Sequence, residues 1–262
     1  MSSVLLCAVG DVEGVTQLDD IVYVVCRSSS TIARFNTTTH ERLTGIRVTG
    51  MRDPWDIAAC ARTARLYVAD LAAECVLRVS PDGADIQRWL TWSRSADPFT
   101  PYTLSVTSSR LLVTSRSGRE LQQFDTAGGD ELRRVGLPDY MLPEYAVESP
   151  TGTFVVAHNN TQLRQWQVSE VNTEGQVLRQ FSSSLGSPRY IAIDSQGHIL
   201  VADYGNRRIL LLDAQLSLRR VIIDEHQLND QQPWRLCYVE QSGQLLVGLT
   251  GSSVAVFDVL QR

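Results

Sequence analysis

Four histidines (His40, His158, His198 and His226) and five cysteines (Cys7, Cys26, Cys60, Cys75 and Cys237) are the residues best suited to metal or nucleophilic chemistry. A catalytic zinc needs about three protein ligands converging on one open position. Only His158 ends an apolar segment in the way Asp70 and Asp203 do, while the other three histidines stand in turn-like stretches. No Gly-x-Ser-x-Gly elbow is present, no Cys sits beside a base in a special turn, and Gly128-Gly129 reads as a hairpin turn rather than a phosphate loop. All 24 basic residues are Arg, so a Lys nucleophile, a Schiff base and a phosphate-loop Lys are excluded. These patterns assign no catalytic residue, no metal ligand and no cofactor.

A second group of residues suits binding. Trp55, Tyr102, Tyr145, Tyr190 and Trp234 each fall one or two places after a proline, and Arg189 and Arg235 occur at the same places. Tyr, Trp and Arg carry much of the energy of interfaces because they bury large area with few rotors. A secondary set, Arg27, Asp70, Ser115, His158, Asp203 and Leu249, closes a later apolar segment in each unit. For Asp70 and Asp203 the simpler reading is an Asx turn, in which the carboxylate caps its own downstream amides. The same reading covers Asn206, with Arg207 pairing with an acid of the neighbouring unit.

Such residues converge only if the elements carrying them repeat, and they do. Pro188-Arg-Tyr-Ile-Ala-Ile-Asp-Ser-Gln-Gly-His-Ile-Leu-Val-Ala-Asp203 has partners beginning at Pro54, Pro101, Pro143 and Pro233, at intervals of 42 to 47 residues. A sixth copy without the proline runs from Asp11 to Arg27. Each copy continues into further extended segments, including Val76–Val79, Leu121–Phe124, Leu163–Trp166 and Ile209–Leu212. Gly83, Gly129, Gly175 and Gly197 punctuate the turns, where positive φ is needed. A period of this length with about four strands per copy is that of a propeller blade. No stretch shows a sustained helical period, although 224–230 could form one helical turn.

The expected fold is therefore all-β: a six-bladed β-propeller of four-stranded antiparallel blades. The last copy supplies only three strands, and Val4–Val9 stands as an orphan strand before the first. If Val4–Val9 completes the last blade, the ring closes and leaves only short protected edges. The blades then span about 10–52, 53–99, 100–141, 142–186, 187–231 and 232–262 plus strand 4–9, forming one domain over 1–262.

Pro188 through Ile209, with Tyr190-Ile-Ala-Ile-Asp194, Gly197, Ile199-Leu-Val-Ala-Asp203 and Asn206-Arg-Arg-Ile209, resembles an NHL repeat. The six copies together are similar to the six-bladed NHL propellers at the C-terminus of tripartite-motif proteins. That resemblance implies a binding or scaffold role, here for a protein or peptide at the channel-mouth face. Some NHL-like propellers are peptide-amidating lyases holding zinc through histidines, and calcium-dependent lactonases are also six-bladed, so a metal-dependent lyase or lactonase is the enzymatic alternative. Other relatives bind single-stranded RNA through a basic, aromatic top face, for which Arg27, Arg189 and Arg235 would be the matching elements. The net charge of −5 and a pI near 5.4 weigh against RNA and against anionic membranes.

The run Val4–Val9 is too short for a signal peptide or a membrane span. The odd, widely spaced cysteines without a CxxC pair read as buried thiols of a reducing compartment, which points to a cytoplasmic, monomeric domain. The sequons at Asn36 and Asn159 then read as chance occurrences.

Overall fold

In the computed structural model, the described residues are 3–6 (backbone), 10–92 and 99–259. They form six antiparallel sheets, in five of which the strands lie in chain order from the inside outward. The innermost strands are Val12–Leu18, Pro54–Cys60, Thr103–Thr107, Met141–Glu148, Pro188–Ile193 and Pro233–Val239. Each packs beside the next, and Pro233–Val239 packs beside Val12–Leu18, so the sheets stand as blades around one axis. In the sixth sheet Ser3–Leu6 runs antiparallel to Ser253–Asp258, with Ser3 opposite Val256. Residues 7–9 of the expected strand Val4–Val9 lie outside the described residues.

Burial follows distance from the axis. Second strands such as Ile21–Cys26 and Ile199–Asp203 are covered on both faces by neighbouring blades and read as continuous apolar runs. Outermost strands such as Glu131–Gly136 and Leu218–Ile223 are mostly exposed, and Arg133-Arg134 and Arg219-Arg220 occupy those open edges. The core lies between blades: Val24, Ala33, Leu246 and Val256 join the first blade to the sixth, and Ala58, Tyr67, Leu104 and Val113 join the second to the third. Blades approach most closely at turns. A Cβ on Gly175, whose φ is +78°, would lie 2.0 Å from the Gly136 carbonyl oxygen of the preceding blade.

A β-bulge recurs at the start of five innermost strands: between Val12 and Gly14, Pro54 and Asp56, Pro143 and Tyr145, Pro188 and Tyr190, and Pro233 and Arg235. Proline is tolerated there because an edge strand at a bulge has no ladder bond to lose. The bulge leaves one residue unpaired and re-aims its side chain. It thereby decides which way the residues after each proline face.

Three local expectations are corrected. Leu163 is an exposed turn residue, because the third strand of the fourth blade starts at Gln165 (Gln165–Val171). Residues 225–230, by contrast, form hydrogen-bonded turns where one helical turn was expected, closed by bonds such as Leu228 N–H to Asp224 O. Arg207 is exposed in the left-handed region, and Arg208 makes the expected ion pair, within its own blade to Asp203 at 2.8 Å. Cys26 is disulfide-bonded, whereas Cys60, Cys75 and Cys237 are free thiols.

Candidate functional site at the channel mouth

The bulge sorts the residues after each proline into two tiers. Glu13, Trp55, Glu144, Arg189 and Trp234 are the bulged, unpaired residues; with Tyr102 they form the upper tier at the mouth. Asp56, Thr103, Tyr145, Tyr190 and Arg235 form the lower tier, each at most 4% exposed. The first blade contributes Gly14 to this tier, where a Cβ would lie 2.7 Å from the Ile57 nitrogen.

The lower tier plugs the channel. Innermost strands are sheet edges, so backbone groups facing the axis need partners from side chains. Asp56 accepts from the amides of Leu104 at 2.8 Å and Ile57 at 2.9 Å. Tyr145 donates to Leu104 O, Thr103 to Glu144 O, and Arg235 to the carbonyls of Glu13, Trp55 and Trp234. Contacts cross the axis as well: Tyr190 of the fifth blade donates to Asp56 of the second at 3.5 Å, and its ring stacks on Tyr145 at 3.6 Å. Burial pushes Asp56 up to about 7 despite the opposing guanidinium of Arg235. Burial likewise raises the Tyr145 and Tyr190 hydroxyls.

The upper tier is built around two buried carboxylates. Glu144 pairs with Arg189 at 2.7 Å and Arg116 at 2.9 Å, and accepts from the Tyr102 hydroxyl at 3.4 Å. Glu13 pairs with Arg27 at 2.6 Å, accepts from Trp234 Nε1 at 3.1 Å and lies 3.8 Å from Arg235. Burial raises the Glu13 pKa against the pull of Arg235 and Arg27. Aromatic faces hold the same guanidiniums: Arg27 over Trp55, Arg116 over Tyr102, and Arg189 over Trp166, Tyr204 and Trp234. A pocket of about 250 Å³ opens beside them, lined by Glu13, Arg27, Tyr204 and Trp234. Trp55 Nε1 and Arg189 Nε are buried donors with no acceptor.

Of the residues expected at the mouth, Trp55, Tyr102, Arg189 and Trp234 reach it, as does Arg27 of the secondary set. Tyr145, Tyr190 and Arg235 do not, because the bulge turns them into the plug. Asp70 is fully buried and accepts from the amides of Arg52, Asp53 and Ala73. Asp203 accepts from Gly186 N and Asn206 Nδ2, and Ser115 from Thr100 N and Gly118 N, the same capping task in other blades. His158 is fully buried and bonds Ser169 Oγ at 2.8 Å, and desolvation lowers its pKa to about 4. Leu249 is buried in the core. Arg116, Tyr204 and Trp166 were missed. Arg116 and Tyr204 directly follow the capping residues Ser115 and Asp203, a repeat position that sequence could have flagged; Trp166 had no such signal.

Among the described residues no group of three or more His, Cys, Asp or Glu side chains is placed to hold a metal ion. Fold and mouth together define a β-propeller, and residues 185–210 match the NHL repeat family. No curated protein matches the sequence. Similar solved structures include a catalytically inactive variant of virginiamycin B lyase from Staphylococcus aureus with quinupristin, at 13% identity and TM-score 0.70, covering 95% of this chain and 80% of that one. Hydrazine synthase of Kuenenia stuttgartiensis is similar at 12% identity and TM-score 0.62, over 92% of this chain and 93% of that one. A protein of unknown function from Bacteroides caccae is similar at 16% identity and TM-score 0.66, over 86% and 81% respectively. At these identities the likeness is one of fold.

Proposed function

We propose that this propeller is a non-enzymatic binding module whose mouth takes an acidic segment of a protein or peptide. The observation that carries the reading is the set of part-exposed arginines, Arg27, Arg116 and Arg189, each fixed by a buried glutamate and an aromatic face. Their side chains are already ordered, so an incoming carboxylate meets donors that lose little further entropy. Glu13 and Glu144 are buried beneath these part-exposed guanidiniums, so at the mouth the arginines rather than their partner acids are the groups a ligand meets, with Asp11 the exposed acid of the same pocket. Trp55 and Trp234, 6.3 Å apart and edge to face, supply the apolar anchor.

The test is to pan a random peptide library against the whole chain and titrate the selected peptides by calorimetry. Acidic peptides are expected, with Trp234→Ala and Trp55→Ala each weakening them by about 30-fold, as interface anchors do. Selection of basic peptides, or wild-type affinity in both variants, overturns the reading. Because virginiamycin B lyase shares the fold, an enzymatic role is the second reading; it predicts stoichiometric zinc or calcium in elemental analysis of the purified protein. Single-stranded RNA is tested alongside with oligouridylate, whose affinity would fall steeply with salt.

A further inference from the structure

The plug divides the axis into two compartments, and the one away from the mouth is a second cavity. It has a volume of about 160 Å³. Its wall is a ring in which every blade contributes the residue four places after its proline position: Thr16, Ala58, Ser105, Val147, Ala192 and Cys237. None of these is larger than Val, which is why space remains where the innermost strands converge. Tyr145 and Tyr190, the stacked pair of the plug, close the end toward the mouth. No charged side chain lines the cavity.

We propose that this axial well is a binding site for a small uncharged molecule of benzene to phenol size bearing no more than one hydrogen-bonding group. It is independent of the mouth and of whatever binds there. A volume of about 150 Å³ accommodates benzene, so this well has room for one such ring, and its partly polar lining suits a ring carrying one hydrogen-bonding group. No lining side chain offers an ion a counter-charge. Hydroxyls at Thr16 and Ser105 and the thiol of Cys237 supply the directional contacts. Ser105 already donates to Ala146 O at 3.0 Å, so its oxygen remains able to accept from a ligand hydroxyl.

Cys237 reports occupancy, because it lines the well and is partly exposed, whereas Cys60 and Cys75 are fully buried. Burial pushes its thiol up to about 11, so alkylation is slow and is followed over long incubation at about pH 8, where phenol stays neutral and benzylamine charged, by peptide mapping. Phenol at ten times its dissociation constant should slow labelling of Cys237 about elevenfold by mass action, and benzene should also protect. Benzoate, benzylamine and acidic peptides bound at the mouth should give no protection. Ala192→Leu, which fills the well, should abolish protection; saturation-transfer NMR of phenol on the wild-type protein reads the same binding without any variant. Absence of both protection and saturation transfer, or equal protection by benzoate, overturns the proposal.

Discussion

Arg189 Nη1 of the fifth blade lies 2.7 Å from Glu144 Oε2 of the fourth, and Arg116 of the third blade takes the other oxygen of the same carboxylate at 2.9 Å. One glutamate thus ties three blades together at the rim. It also holds two arginines in the orientation the proposed ligand would meet.

Replacing that carboxylate tests its structural share. Glu144→Gln leaves both arginines without a counter-charge, and because they are partly exposed the loss should be about 1–3 kcal/mol. Urea denaturation with unchanged m-value measures it, and acidic peptides should bind this variant at least as tightly as the wild type.

Arg235 is the keystone of the plug. Its guanidinium bonds three backbone carbonyls and stands near two buried carboxylates, Glu13 and Asp56. Arg235→Met removes the cation and strands the acids, an event costing about 3–5 kcal/mol. The same denaturation experiment should show a markedly lower midpoint, and the stability of the variant should fall more steeply than that of the wild type as pH rises toward neutrality.

Asp56 and His158 impose opposite pH dependences. Asp56 has a folded pKa of about 7 against an ordinary value of 3.8, so its contribution is full below 3.8 and is lost as pH rises through 7. His158 has a folded pKa of about 4 against 6.5, so its contribution is present above 6.5 and is lost as pH falls through 4. The windows overlap and mask one another in the wild type. Thermal midpoints across pH 4 to 7 should rise more steeply with pH in Asp56→Asn, and less steeply in His158→Gln, than in the wild type.

Asp70 caps three amides from a fully buried position and has no exposed surface with which to meet a ligand. Asp70→Ala should cost about 2–4 kcal/mol through the buried donors it leaves. Peptide affinity of the folded fraction should not change, which separates a capping role from a binding one.

Six copies of some 45 residues, five of them proline-led, with continuous apolar runs for strands covered on both sides and arginines for open edges, made the all-β propeller legible in the sequence. Trp55, Tyr102, Arg189 and Trp234 of the mouth were legible too, because they recur at one repeat position, whereas Arg116, Tyr204 and Trp166 were not. Tertiary structure alone decided which of them face out. Neighbours in sequence such as Trp234 and Arg235 looked equivalent, and strand alternation could not separate them, because the bulge at each proline interrupts that alternation. Partners contributed by other blades, such as Asp56 beneath Tyr190 or Trp166 beside Arg189, are likewise set by ring geometry. The same geometry leaves a plugged axis with a separate well on either side, since six inward edges must find partners for their backbone groups wherever the side chains are long enough to reach.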